Sequence, residues 1–289
     1  MKPSPFEYHD PTTVDEALEL LRRYGPEAKI LAGGQSLIAL LNFRLSAPAA
    51  LIDLNRVAEL SYLRQENGTL RFGSMLRQRA IEFSPVVLQR LPLLAEATRL
   101  VGHLPTRTRG TIGGSLAHAD PAAEYPTVIT ALDGELVIRG SLGDRVVRAH
   151  DFFQGVMSTA LGPDEILVEV RLQDAPPNSG WAFEEFSRRH GDFAIVAVAA
   201  MVVVDGARCR AARLAAAGVG PIPMRLRAAE EILEREGLSE QAINNAAASA
   251  AEIVDPAGDL HASADFRRHL TRVLTRRALV RATDRAGGR

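Results

Sequence analysis

Two short glycine-pair segments carry the residues of this chain whose types and spacing suit ligand chemistry. The first is Ala32-Gly33-Gly34-Gln35-Ser36-Leu37 and the second is Thr111-Ile112-Gly113-Gly114-Ser115. Paired glycines let a backbone adopt positive φ and bring its N–H groups close to a ligand. Successive N–H groups in such a turn form a concave anion site, and a serine hydroxyl adds another donor. The pattern therefore predicts a dinucleotide cofactor whose diphosphate is held where the two segments meet.

Secondary structure must position these segments. A short strand is predicted over 29–32 and a helix over 36–45, which places the first segment at a helix N-terminus, where N–H groups and the helix dipole favour an anion. A helix predicted over 122–132 follows Asp120-Pro121 and sets Asp120 and Glu124 about one turn apart. The same reasoning leaves open that Glu124 is a solvated helix residue.

The last third of the chain has a different order of predicted elements. Three strands are predicted over 181–187, 194–204 and 209–217, and three helices follow them, which is typical of an α+β unit. The stretch 174–180 contains two prolines, a glycine and small polar residues and is the best linker candidate.

Composition excludes several classes of function. The chain has 289 residues, 46% of them hydrophobic, and a net charge of −1, which gives no bulk attraction to nucleic acid. No run approaches the roughly 20 apolar residues of a membrane span, and no signal peptide is evident, so a cytoplasmic protein is expected. The single cysteine, Cys209, cannot hold an iron–sulfur cluster, which needs about four.

Other nucleotide and metal motifs are missing from the sequence. A dinucleotide-binding Gly-x-Gly-x-x-Gly and a phosphate-binding Gly-Lys-Ser/Thr are both absent. His118 and Asp120 lie close together, but no further His or Cys completes a metal-ligand spacing. The diphosphate must therefore be bound in another way, and no metal site is expected.

The chain resembles the FAD-binding medium subunits of molybdenum hydroxylases, the family of xanthine and carbon monoxide dehydrogenases. The resemblance is carried by both glycine motifs, by Ala119-Asp120-Pro121 after the second, and by Arg188-Arg189-His190-Gly191-Asp192-Phe193-Ala194. The segments 218–221, 265–270 and 276–279 extend it to nearly the whole chain.

This resemblance implies an α+β fold with a vanillyl-alcohol-oxidase (PCMH)-type FAD-binding domain of two subdomains, followed by a C-terminal α+β domain with a three-stranded sheet and helices. The expected limits are 1–176 for the FAD-binding domain, with subdomains of about 1–57 and 58–176, and 180–285 for the C-terminal flavoprotein domain.

The resemblance also implies a role and partners. FAD in this chain would take electrons from two [2Fe–2S] clusters of a small subunit and pass them to an external acceptor. A large subunit would hold molybdopterin and hydroxylate the substrate, in a dimer of heterotrimers. A stand-alone FAD-dependent oxidase or dehydrogenase with its own substrate site is the alternative, and a non-enzymatic carrier that keeps the fold is a third reading.

By the same resemblance, the glycine amides would reach the diphosphate, and the two serine hydroxyls would contact phosphate or ribityl oxygens unless they serve only as helix caps. Asp192 and Phe193 would lie near the isoalloxazine, although Phe193 could equally be a core residue. No general acid, base or nucleophile is expected. The predicted cofactor-binding residues are Ala32, Gly33, Gly34, Gln35, Ser36, Leu37, Thr111, Ile112, Gly113, Gly114, Ser115, Asp120, Glu124, Asp192 and Phe193.

One position departs from the family pattern. Some relatives carry a basic residue near Glu185, where it offsets negative charge on the reduced flavin. Arg188 or Arg189 would take over that charge here, or Glu184 and Glu185 are simply exposed at a strand edge.

Overall fold

Three sheets with their helices follow one another along the chain. The computed structural model describes residues 2–206 and 208–287, and in these ranges no helix is long and apolar enough to cross a membrane. The first unit contains β1 (Glu7–His9), α1 (Val14–Tyr24), β2 (Ala28–Leu31), α2 (Leu37–Asn42) and β3 (Ala50–Asp53). Its parallel sheet has the order β1-β3-β2.

Helix α1 illustrates why this unit forms where it does. The Thr13 hydroxyl accepts from the Glu16 N–H, and the Glu16 carboxylate accepts from the Thr13 N–H, so a capping box fixes the start of the helix. The helix buries Val14, Ala17 and Leu18 against the sheet side of the unit. The predicted 29–32 strand is confirmed as β2, whereas the helix predicted over 36–45 is only the six residues of α2.

The second unit is built on an antiparallel sheet of order β4-β5-β10-β6-β7. Its first hairpin turns at Asn67 and Gly68, both with positive φ. Its elements are β4 (Leu63–Glu66), β5 (Thr69–Gly73), α3 (Gln78–Phe83), α4 (Pro85–Arg90), α5 (Pro92–Thr98), α6 (Leu104–Arg109), α7 (Ile112–His118), α8 (Glu124–Ala131), β6 (Glu135–Gly140), β7 (Gly143–Arg148), α9 (Ala149–Phe152), β8 (Phe153–Gly155), β9 (Ser158–Thr159) and β10 (Ile166–Gln173).

Helices α7 and α8 correct two expectations. The second glycine pair is not a loop before a helix, because Gly113 and Gly114 already belong to the first turn of α7. Helix α8 begins at Glu124 rather than at 122, so Asp120 lies in the turn before the helix and the two acids do not share a helical turn.

The third unit contains β11 (Ser179–Phe186), β12 (Val196–Asp205), β13 (Arg208–Ala217), β14 (Met224–Arg225), α10 (Arg227–Glu236), α11 (Glu240–Ile253) and α12 (Ala264–Ala286). The expected three-stranded sheet is wrong by one strand, since the two residues of β14 pair with β13 and give a four-stranded sheet. This fourth strand is too short for a period-2 pattern to reveal it in the sequence.

The C-terminal sheet has a core on each face. On one side Ala182, Val198 and Leu214 pack with the helices α10 to α12. On the other side Phe183 and Ala197 share a buried cluster with residues of the second unit such as Tyr125. Strands β11–β13 are therefore covered on both faces. The second and third units pack against each other beside the predicted site.

Candidate functional site

The two glycine motifs, 80 residues apart in sequence, touch each other in the fold. A Cβ added to Gly33 would collide with the carbonyl of Arg109 and lie 2.7 Å from the Cα of Gly110. A Cβ added to Gly114 would lie 3.3 Å from the Cβ of Ala32. The backbones therefore approach so closely that Gly33 has no room for a side chain.

The first motif leaves its amides unused. Within residues 2–206 and 208–287, the backbone N–H groups of Gly33, Gly34, Gln35 and Ser36 donate to no protein acceptor. Gly34 has φ of +74°, which turns the chain at the centre of this row of amides. Ser36 flanks α2 but makes no side-chain cap, so its hydroxyl is also available. A row of unpaired N–H groups next to a hydroxyl is a suitable anion site.

The second motif uses its amides within the protein. The N–H groups of Ile112 and Gly113 donate to the carbonyls of Leu76 and Ser74, at 3.1 and 2.9 Å. The N–H of Gly114 donates at 3.0 Å to the Thr111 hydroxyl, which caps α7. The expectation that both motifs present free amides is therefore wrong for the second, because the carbonyls of Leu76 and Ser74 and the Thr111 hydroxyl accept from its N–H groups. The second motif can therefore contribute to a ligand site through its shape and through the half-buried Ser115.

A cleft of about 860 Å³ lies beyond the far end of α7. Its lining includes Asp120, Asp192 and Phe193, together with the 255–261 segment that joins α11 to α12. Phe193 is 57% exposed, so the alternative of a core phenylalanine is wrong. Helix α7 begins with the second glycine pair and has seven residues, or roughly 10 Å at about 1.5 Å per residue, so it spans the distance from the glycine motifs to this cleft. An extended cofactor with two distinct ends would reach both.

The segment around Asp192 is held against the second unit. Gly191 has φ of +85°, and a Cβ there would enter the imidazole of His103, just before α6. The rings of His103 and His190 are 6.1 Å apart. Arg188 lies next to His261, with 3.1 Å between its guanidinium and Nδ1. Sequence reasoning did not identify the 255–261 segment as part of the cleft. The sequence signal of this segment is the turn-forming run Asp255-Pro256-Ala257-Gly258-Asp259.

A buried acid and a half-buried acid, Glu124 and Glu185, lie near Asp120 of the cleft. Glu124 is 4% exposed, so its interpretation as a solvated helix residue is wrong. Burial raises the pKa of Glu124 to about 8, with smaller contributions from the negative charges of Glu185 and Asp120. Burial likewise raises the pKa of Glu185 to about 7, and one of its carboxylate oxygens is buried without a partner in the described residues. Glu184 instead pairs with Arg281, so these two residues are not simply exposed at a strand edge.

The donors at the first motif, which are backbone N–H groups and a serine hydroxyl, suit a phosphate group. In the part of the chain that the structure describes, no group of three or more His, Cys, Asp or Glu side chains could hold a metal ion. Burial raises the pKa of the Cys209 thiol to about 11, which favours an inert thiol.

Comparisons with known proteins cover nearly the whole chain. Residues 4–173 match the family described as the FAD binding domain in molybdopterin dehydrogenase, and residues 181–282 match the CO dehydrogenase flavoprotein C-terminal domain. The alpha subunit of the 6-hydroxypseudooxynicotine dehydrogenase complex of Paenarthrobacter nicotinovorans is 42% identical, over 99% of this chain and 97% of that protein.

Two solved structures are similar over the same extent. One is a carbon monoxide dehydrogenase from Hydrogenophaga pseudoflava that lacks the Mo-pyranopterin moiety of the molybdenum cofactor, with a TM-score of 0.97 and 38% identity. The other is quinoline 2-oxidoreductase from Pseudomonas putida 86, with a TM-score of 0.94 and 38% identity. In both cases the match covers 99% of this chain and 99% of the other.

Proposed function

The chain belongs to the FAD-binding medium subunits of the molybdenum hydroxylases, and from this premise we propose that it transfers electrons from a partner subunit to an external acceptor. The contact between the two glycine motifs, with unpaired amides on the first, is the observation that best supports this proposal. A bound flavin would accept electrons singly and hold two of them, while the protein binds, orients and shields it.

The proposed cofactor site runs from the glycine motifs to the cleft. The amides of residues 33–36 and the Ser36 hydroxyl hold the diphosphate, and Gly113, Gly114 and Ser115 shape the opposite side. Asp120 and Glu124 face the middle of the cofactor, and Asp192 and Phe193 lie at its flavin end. The remaining proposed contacts are Ala32, Leu37, Thr111 and Ile112.

The proposed partners follow from the relatives. One relative is a subunit of a dehydrogenase complex and another is a carbon monoxide dehydrogenase medium chain. We assign the molybdopterin to a large subunit and two [2Fe–2S] clusters to a small one, because a chain with a single cysteine cannot ligate such clusters. The assembly is proposed as a dimer of heterotrimers in the cytoplasm.

The proposed domain limits are 1–176 and 180–285. The two family matches, which end at 173 and begin at 181, support a division in this stretch. The subdomain limit near 57 is supported by the change from the parallel sheet, which ends at Asp53, to the antiparallel sheet, which begins at Leu63.

Purification from the native host tests this function. We expect the chain to co-purify with two partners, with molybdenum and iron in the complex and a flavin absorbance spectrum. The isolated chain should bind FAD without turnover. Turnover by the chain alone would instead favour the stand-alone oxidase or dehydrogenase, and a colourless chain that takes up no FAD would reject both.

A further inference from the structure

A hydrogen-bonded pair of side chains joins the two glycine motifs. The Asn55 side-chain amide donates to the carbonyl oxygen of Ala32 at 3.0 Å. The guanidinium of Arg77 donates through one nitrogen to the side-chain oxygen of Asn55 and through the other to the carbonyl oxygen of Arg109. This Arg109 carbonyl is the group that would collide with a side chain at Gly33. Arg77 therefore bridges the first and second units at their point of contact.

Both members of this bridge are fixed by their surroundings. Asp53, which is 9% exposed, accepts from the Asn55 N–H at 2.9 Å and from the Tyr8 hydroxyl at 2.6 Å. Arg77 forms an isolated antiparallel bridge with Thr111, the residue that caps α7. The bridge therefore connects two anchored positions, one in each unit, and it can set the distance between them.

The bridge also brings positive charge to the site. Among residues 2–206 and 208–287, neither Arg77 nor Arg109 forms an ion pair with a carboxylate. Burial and the nearby charge of Arg109 lower the pKa of Arg77, and Asp53 partly opposes them. Guanidinium groups stay protonated in proteins, so Arg77 brings a cation, close to the charge of Arg109, to the junction of the two motifs. A diphosphate is the kind of anion that relieves such repulsion and accepts from a guanidinium.

We propose that Arg77, acting with Asn55, is the positioning residue that presets the spacing of the two glycine motifs for the diphosphate of FAD. This inference rests on the proposed function, because it requires FAD as the ligand. A side chain that only stabilised the fold would affect the unfolding of the apo chain as strongly as its affinity for FAD.

Binding of FAD to the full-length chain, followed by quenching of flavin fluorescence, tests the proposal in four variants. We expect R77M to weaken FAD binding about 30-fold and N55A about tenfold, since hydrogen bonds to charged groups are worth about 1.5–3 kcal/mol. R77K should recover part of the affinity, because lysine restores the charge but cannot reach both acceptors in the same fork. R79M is the matched control, since the Arg79 guanidinium stacks on Phe83 and pairs with Glu82.

The thermal midpoint of the apo variants separates positioning from folding. The proposal holds if R77M and N55A lose FAD affinity while their apo midpoints fall no further than that of R79M. It is overturned if FAD affinity is unchanged, if R77K binds as well as the wild type and N55A is neutral, or if affinity and apo stability fall together. A wild-type chain that binds no FAD would instead overturn the proposed function, and this inference with it.

Discussion

The two glycine motifs share a sequence pattern and differ in what their amides bind. Among the residues that the structure describes, no acceptor binds the backbone N–H groups of residues 33–36, and the half-buried Ser36 does not cap α2 with its side chain. In the second motif, the N–H groups of Ile112, Gly113 and Gly114 donate to the carbonyls of Leu76 and Ser74 and to the Thr111 hydroxyl, respectively. The first motif therefore keeps donors for the ligand that we propose, whereas the donors of the second bind groups of the protein itself. The same glycine pair can thus leave its N–H groups free or use them internally, depending on which acceptors lie nearby.

The largest loss of FAD affinity is expected for a substitution at the contact between the two motifs. In Gly33→Val the new side chain meets the Arg109 carbonyl and the Gly110 Cα, so the second motif must move. Overpacking of this kind costs about 1–3 kcal/mol of folding free energy. We expect FAD affinity to fall about 100-fold or more, equal to about 2.7 kcal/mol. Calorimetry and flavin titration would measure both.

Gly155→Val is the matched control for that substitution. The nearest atom to a Cβ at Gly155 is 3.7 Å away, so the added side chain finds room. If Gly33→Val bound FAD as well as this control, the contact between the motifs would have no part in the site.

The next largest effect is the pH dependence of stability that the buried Glu124 causes. Folded protein keeps Glu124 protonated up to about pH 8, whereas the unfolded chain releases this proton near the ordinary pKa of 4.5. Between these values the folded state binds more protons, so the free energy of unfolding falls as pH rises, by up to about 1.4 kcal/mol per pH unit. Glu185 adds to the slope below about pH 7.

Urea unfolding of the apo chain at several pH values measures this slope. Glu124→Gln should flatten it, and the exposed Glu19→Gln should leave it unchanged. An unchanged slope in Glu124→Gln would mean that the carboxyl is ionised in the folded protein, and Glu124 would then not be the buried, protonated group described above.

A reciprocal pair of substitutions tests the contrast directly. Thr111→Val removes the cap on the Gly114 N–H and should cost about 1 kcal/mol of stability, with a smaller effect on FAD. Ser36→Ala removes no cap, so stability should change by less than about 0.5 kcal/mol. Its FAD affinity should nevertheless fall about tenfold. The opposite pattern in the two melting and binding experiments would reverse the roles assigned to the motifs.

The smallest change in stability is expected at the cleft. Phe193 is 57% exposed, so Phe193→Leu should alter the free energy of unfolding by less than about 0.5 kcal/mol. Like the first motif, it should act on the ligand, and we expect a shift in the absorbance spectrum of bound FAD. Phe83→Leu, with the same 57% exposure, is the control, and an equal spectrum in both variants would remove Phe193 from the flavin end.

Local sequence patterns predicted the first glycine motif, but they did not predict the side chains that hold it in place. The capping box at Thr13 and Glu16 and the hairpin turn at Asn67-Gly68 are formed by neighbouring residues, so a local pattern is enough to specify them. Arg77 and Asn55 carried no such signal, because their partners lie 22 to 32 residues away in sequence. The two-residue strand β14 was missed because it is too short to show a period-2 pattern.

The sequence alone predicted a diphosphate cofactor from two glycine pairs and, with a single cysteine, excluded an iron–sulfur cluster ligated by this chain, because both inferences follow from residue types. Only the tertiary structure decided which pair keeps its amides unpaired, since that depends on whether Ser74, Leu76 and Thr111 lie within hydrogen-bond reach. It also decided that Glu124 is buried, because the C-terminal sheet covers the start of α8. The acceptors that lie near a backbone N–H group, and the burial of a side chain, depend on segments that are distant in the chain. A local sequence pattern does not record them.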